Sequence, residues 1–170
     1  LRTIYDTATA RGRDGRGFHT TVGNSLMGSV VESHDINRFS KDREVVYPEA
    51  PRTSEHIAIV GNSRAEPTTE YVQAKKESDQ QPYAMGGWVI VHNGTIANDA
   101  QLREEAMSVT GLKLTTRIDS AAIVETLTAL SPESPGDIEP FDTFCQAVGK
   151  LQGSYAILAK TDNASEMFVA

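Results

Sequence analysis

The 170 residues fit one domain and leave little room for two, with 39% hydrophobic residues and 13 glycines available to build a single core. A formal net charge of -7 argues against a general nucleic-acid binder, whose phosphate contacts need a basic face. No apolar run approaches the roughly 20 residues of a membrane span, and Leu1-Arg2-Thr3-Ile4-Tyr5 carries no signal-peptide pattern.

In chain order, Leu1, Ile4, Tyr5 and Ala8 fall at helical spacing, so residues 1–10 read as the tail of a helix. Three glycines in Arg11-Gly12-Arg13-Asp14-Gly15-Arg16-Gly17 mark a turn, and 17–22 follows as a short strand. Val30-Val31 and Val45-Val46-Tyr47 are strand candidates, and 56–60 is a buried strand running into Gly61-Asn62-Ser63-Arg64 and a turn at 67–69. Residues 74–82 are charged and polar and read as a solvated loop. The apolar run 87–92 is the strongest strand, and it meets Asn93-Gly94, a pair suited to a tight turn with positive φ. Asn98-Asp99 can cap a helix over 100–109 that Gly111 stops, and Asp119-Ser120 can cap a second helix bearing Ala122, Ile123, Leu127 and Leu130. Residues 131–140 form a proline-containing loop. A third helix over 141–151, a strand at 155–159, a turn at Asp162-Asn163 and the start of a last strand at 167–170 complete the chain. Beginning inside a helix and stopping inside a strand leads to the expectation of a fragment, 1–170, truncated at both ends. A β-rich first half followed by helices favours an α+β architecture of stacked sheets covered by helices over a doubly wound parallel sheet.

Three strand or helix ends place polar groups where rigid scaffolds present chemistry. Arg64 follows the 56–60 strand and carries a fork suited to a carboxylate, though a surface arginine in a structural ion pair is the commoner case. The side-chain amide of Asn93 and the backbone N–H of Gly94 can donate to one oxyanion, whereas Asn-Gly alone more often marks a hairpin turn. Asp119 can receive an ammonium group or simply cap a helix. The histidines at 19, 34, 56 and 92 show no metal-ligand spacing, so neither metal nor other cofactor is expected. Cys145 is the one cysteine, which suits a reducing, cytoplasmic setting. It falls on the apolar side of its helix and is expected to be a buried hydrophobe, not a nucleophile.

The order of these pieces resembles the class-II glutamine amidotransferases. Their pattern matches Arg11-Gly12-x-Asp14-Gly15-x-Gly17, then the strand leading to Arg64, then Val89-Ile90-Val91-His92-Asn93-Gly94-Thr95-Ile96-Ala97-Asn98 with Leu102-Arg103, then Asp119, then Gly153-Ser154-Tyr155-Ala156. The resemblance covers essentially the whole chain, and the His-Asn-Gly block is its most specific part. It implies an N-terminal-nucleophile hydrolase fold, a four-layer αββα sandwich of two mostly antiparallel sheets flanked by helices. It also implies hydrolysis of glutamine to glutamate and ammonia, with the ammonia passed to a synthetase or transferase domain or subunit.

Carried over residue by residue, the resemblance makes Arg64 the holder of the glutamine α-carboxylate and Asp119 that of its α-ammonium. Asn93 and Gly94 become the oxyanion hole, and His92 and Thr68 join the substrate-binding set. The family's nucleophile is an N-terminal cysteine that forms a thioester, and no cysteine stands near Leu1. Ala65-Glu66-Pro67-Thr68-Thr69-Glu70 also departs from members with a tryptophan after the arginine. That stretch is more similar to stand-alone or phage-type relatives, some linked to 7-deazaguanine synthesis. Two other readings remain open here: a catalytically silent amino-acid-binding or protein-interaction module of the same fold, and an N-terminal-nucleophile amidohydrolase with another substrate.

Overall fold

The computed structural model describes residues 15–22, 25–33, 57–64, 77–131, 139–162 and 166–170. The expected helix over 1–10, the strand candidate Val45-Val46-Tyr47, the turn at 67–69 and Thr68 lie outside them. Strands β1 (Gly15–Val22), β2 (Ser25–Ser33) and β3 (Ile57–Arg64) form one antiparallel sheet in the order β2-β1-β3. Strands β4 (Tyr83–Met85), β5 (Trp88–Ile96), β6 (Gly153–Thr161) and β7 (Phe168–Val169) form a second antiparallel sheet in that order. Between β5 and β6 come helices α1 (Asp99–Thr110), α2 (Ala121–Leu130) and α3 (Pro140–Lys150).

Strand periodicity sorts the faces of the second sheet. Ile90, Ile157 and Ala159 share a core with Ala122, Ile123 and Leu127 of α2 and with Phe144 of α3, so this face meets the helices. Helix α2 is buried on every side from Ala121 to Leu127 because it packs on β4 and β5 with α1 and α3 against it. The opposite face carries Val89 and, across from it in register, the fully buried Lys160. The Lys160 ammonium donates to Thr21 Oγ1 of β1, and β3 contacts β5, so the two sheets stack face to face. The described layers are thus helices, sheet, sheet, in agreement with the expected α+β sandwich.

Four local expectations need correction. Strand β5 does not turn at Asn93-Gly94 but continues to Ile96, paired with β6 through Gly153. Gly94 sits opposite Tyr155 with φ +139°, and a Cβ there would lie 2.1 Å from the Ser154 carbonyl oxygen. The positive φ inferred from Asn-Gly is therefore present, but inside a strand, where only glycine fits. Strand β3 runs through Gly61-Asn62-Ser63 so that Arg64 is its last residue, paired with Gly15. The segment before β4 is not wholly solvated: Gln80, Gln81 and Pro82 are buried, because β1 passes over them and a Cβ on Gly17 would lie 2.2 Å from the Gln81 carbonyl oxygen. Finally, Cys145 is exposed. The buried stripe of α3 runs through Thr143, Phe144 and Ala147, and Cys145 lies about 100° further round the helix than Phe144.

Candidate active site

Gln81 is the point where three of the segments singled out in the sequence meet. A backbone N–H can only donate, so the 2.6 Å contact to the His92 N–H fixes the Gln81 side-chain oxygen, Oε1, on that side. The same oxygen accepts from Asn62 Nδ2 at 3.0 Å, two residues before Arg64. The amide nitrogen of Gln81 then points the other way and donates to Ser120 Oγ at 3.1 Å. Ser120 Oγ also lies 2.7 Å from His92 Nδ1. With Gln81 as its donor, the serine hydroxyl can donate to Nδ1 or, at 3.5 Å, to the Asp119 carboxylate. Burial lowers the His92 pKa below its ordinary value and so favours the neutral ring, while the nearby Asp119 carboxylate opposes that shift.

Asp119 is not an ordinary helix cap. One carboxylate oxygen accepts from the Ile96 N–H at 2.7 Å, and the other from the Ser120 N–H at 2.8 Å. The side chain thereby ties the entrance of α2 to the end of β5, two residues beyond Gly94, and remains partly exposed. The loop that delivers it is held from behind. Arg103 donates to both carboxylate oxygens of Glu125, at 2.9 and 3.0 Å, and to the carbonyls of Thr116 and Leu114. Thr116 Oγ1 donates in turn to Asp79, which joins this loop to the segment carrying Gln81.

The two faces of β5 separate neighbouring residues. His92 follows Ile90 onto the helix side and is buried, whereas Asn93 follows Val89 and Val91 onto the side of the first sheet and is exposed, as is Gly94. Arg64 is placed by its backbone at the end of β3, which pairs with β1 and approaches β5. The structure thus gathers Asn93, Gly94, Asp119, His92 and the end of β3 around one corner. Gln81, Ser120 and Asn62 were not singled out from the sequence. The only signal for Gln81 was a polar pair directly before Pro82 and an apolar strand, which a solvated loop displays equally well. Among the described residues no group of three or more His, Cys, Asp or Glu side chains is placed to hold a metal ion, and no helix is long and apolar enough to cross a membrane.

Comparison with known proteins places this arrangement. A family model described as a glutamine amidotransferase domain matches residues 68–170. The chain is 32% identical over its whole length to a 7-cyano-7-deazaguanine synthase of Saccharolobus solfataricus, of which it covers 34%. It is 32% identical over 158 residues to a glutamine–fructose-6-phosphate aminotransferase (isomerizing) of Sulfurisphaera tokodaii, covering 91% of this chain and 25% of that protein. The chain therefore spans about a third or less of the length of these relatives. Its fold is similar to that of the B. subtilis glutamine phosphoribosylpyrophosphate amidotransferase, with a TM-score of 0.65 and 22% identity, covering 98% of this chain and 32% of that one. With the motif order, the stacked sheets and the match over more than half its residues in agreement, the chain belongs to the class-II glutamine amidotransferases.

Proposed function

We propose that residues 1–170 act as the glutaminase domain of a longer enzyme, releasing ammonia from glutamine for an acceptor made ready elsewhere in that protein. The observation that carries the reading is the Asp119 bridge to the Ile96 N–H, which sets an anion beside the Asn93-Gly94 corner of β5. Arg64 and Asp119 grip the α-carboxylate and α-ammonium of a free amino acid, with Thr68 a further member of the binding set. The carboxamide then points at Asn93 and Gly94, whose N–H groups meet the charge that develops on its oxygen when a thiolate attacks. His92, which the resemblance put in the substrate-binding set, has its ring buried on the helix side and supports that corner from behind. The thiol is assigned to an N-terminal cysteine as in the family, not to the exposed Cys145 on α3. The names of the relatives with full coverage of this chain support a 7-deazaguanine as the acceptor class.

The test is kinetic and calorimetric, on the full-length protein. Asn93→Ala should lower kcat about a hundredfold to a thousandfold with little change in KM, because the lost donor acts in the transition state. Arg64→Ala and Asp119→Asn should each weaken glutamine binding by about tenfold or more, the loss expected for a charge-assisted hydrogen bond. Unchanged glutamine affinity in both charge variants would rule out the zwitterion-binding role.

A further inference from the structure

Gln81 is a buried side chain that the proposed chemistry does not use, yet its carboxamide has a partner on every side. It accepts from the N–H of His92 and from Asn62, and it donates to Ser120. Those partners stand next to the groups assigned to glutamine: His92 precedes Asn93, Asn62 lies two residues before Arg64, and Ser120 follows Asp119. No other described side chain bonds to all three segments. The His92 N–H is the shortest of the contacts, and it belongs to the Val91–His92 peptide, one residue ahead of Asn93 on the same strand. Gly94, one step on, is held at φ +139° with the Ser154 carbonyl close behind it, so β5 has little freedom to adjust there by itself.

We infer that Gln81 is a positioning residue for glutamine hydrolysis: its carboxamide sets the Asn93-Gly94 donors relative to the ends of β3 and the start of α2. The inference rests on the oxyanion role proposed for Asn93 and Gly94. Gln81 touches no reacting atom in this scheme, and its effect passes through the His92 peptide. A hydrogen-bond donor is useful only within a few tenths of an ångström of the oxyanion, and displacement by about 1 Å costs up to a hundredfold in rate.

The experiment is a double-mutant cycle on turnover, measured as glutamate release by the full-length protein at saturating glutamine. Gln81→Met keeps the volume and removes both hydrogen-bonding functions, and kcat is expected to fall about tenfold to a hundredfold. In an Asn93→Ala background the same change is expected to cost a clearly smaller factor, because one of the two donors it aligns is already gone and only the Gly94 N–H remains. A merely structural role would give the same factor in both backgrounds, and that result overturns the inference, as does an unchanged kcat in Gln81→Met. Gln81→Glu keeps an acceptor for the His92 N–H and for Asn62 and covers the case in which Gln81→Met does not fold. Its kcat should stay within about fivefold of the parent, and a loss as deep as that of Asn93→Ala overturns the inference. If Asn93→Ala itself turns over normally, the reading of the site fails. If Asn93→Ala is impaired and the cycle is additive, only the role of Gln81 fails.

Discussion

Gly94 shows how narrowly one residue is specified. Its φ of +139° is open to glycine and costs other residues on the order of 1–3 kcal/mol. The Ser154 carbonyl oxygen leaves no room for a Cβ. Gly94→Ala should therefore destabilise the fold by more than about 2 kcal/mol in urea denaturation. Gly111 is the control. It caps α1 with φ +68°, its N–H donates to the Met107 carbonyl, and nothing lies within 4 Å of a Cβ built there. Gly111→Asn should cost less than about 1 kcal/mol, since asparagine tolerates the left-handed region. Equal losses at the two positions would show that crowding by β6 is not what fixes glycine at 94. The sequence signalled positive φ at Asn93-Gly94 and a helix stop at Gly111. It did not separate a turn from a strand at Asn93-Gly94, because the difference lies in β6, some sixty residues further on.

At the scale of elements, the loop between α1 and α2 decides where Asp119 stands. Arg103 and Glu125 form a buried pair, with side chains 7% and 1% exposed, and the same groups bind the Leu114 and Thr116 carbonyls and the Leu114 N–H. Removing one partner strands a buried charge. Arg103→Met should cost about 3–5 kcal/mol, and the double variant with Glu125→Met should lose less than the sum of the two single losses by at least about 1 kcal/mol. Chemical denaturation of the four proteins measures this, and simple additivity would mean that the pair does not act as a unit. The helices themselves were legible: the expected spans 100–109 and 141–151 lie within a residue or so of α1 and α3, and Gly111 stops α1 as its left-handed cap. The role of Arg103 was not legible. Leu102-Arg103 stood out only as part of a motif, because the partner that explains it lies 22 residues away on another helix. Gln81 was obscured for a similar reason, since polar residues read as solvated until β1 is seen to cover them.

Across the whole molecule, the stacking of the two sheets buries a polar patch far from the Asn93 corner. Lys160 is fully buried and donates to Thr21 Oγ1 and to the Thr161 carbonyl, and burial lowers its pKa. The expected strand stopped at 159 because a lysine reads as an exposed terminus, whereas β6 carries it into the space between the sheets. His19 of β1 is 3% exposed, and its Nδ1 has no hydrogen-bond partner among the described residues. Burial first, and the positive charge of Lys160 second, lower its pKa to about 4. Between that value and the ordinary 6.5, the unfolded chain binds a proton that the folded protein refuses, so stability falls as the pH drops through this window. One such proton gives a slope of at most about 1.4 kcal/mol per pH unit. Asp162 works in the opposite sense: burial raises its pKa, so the folded state takes up its proton first and gains stability as the pH falls. The contribution of His19 is therefore read as a difference between two proteins. Stability of the parent and of His19→Gln, measured by urea denaturation at half-unit steps from pH 7 to 4, should diverge, with the parent losing more. Parallel curves through that range would mean that His19 takes up its proton in the folded state as readily as in the unfolded chain, and that the interface between the sheets admits water at this point.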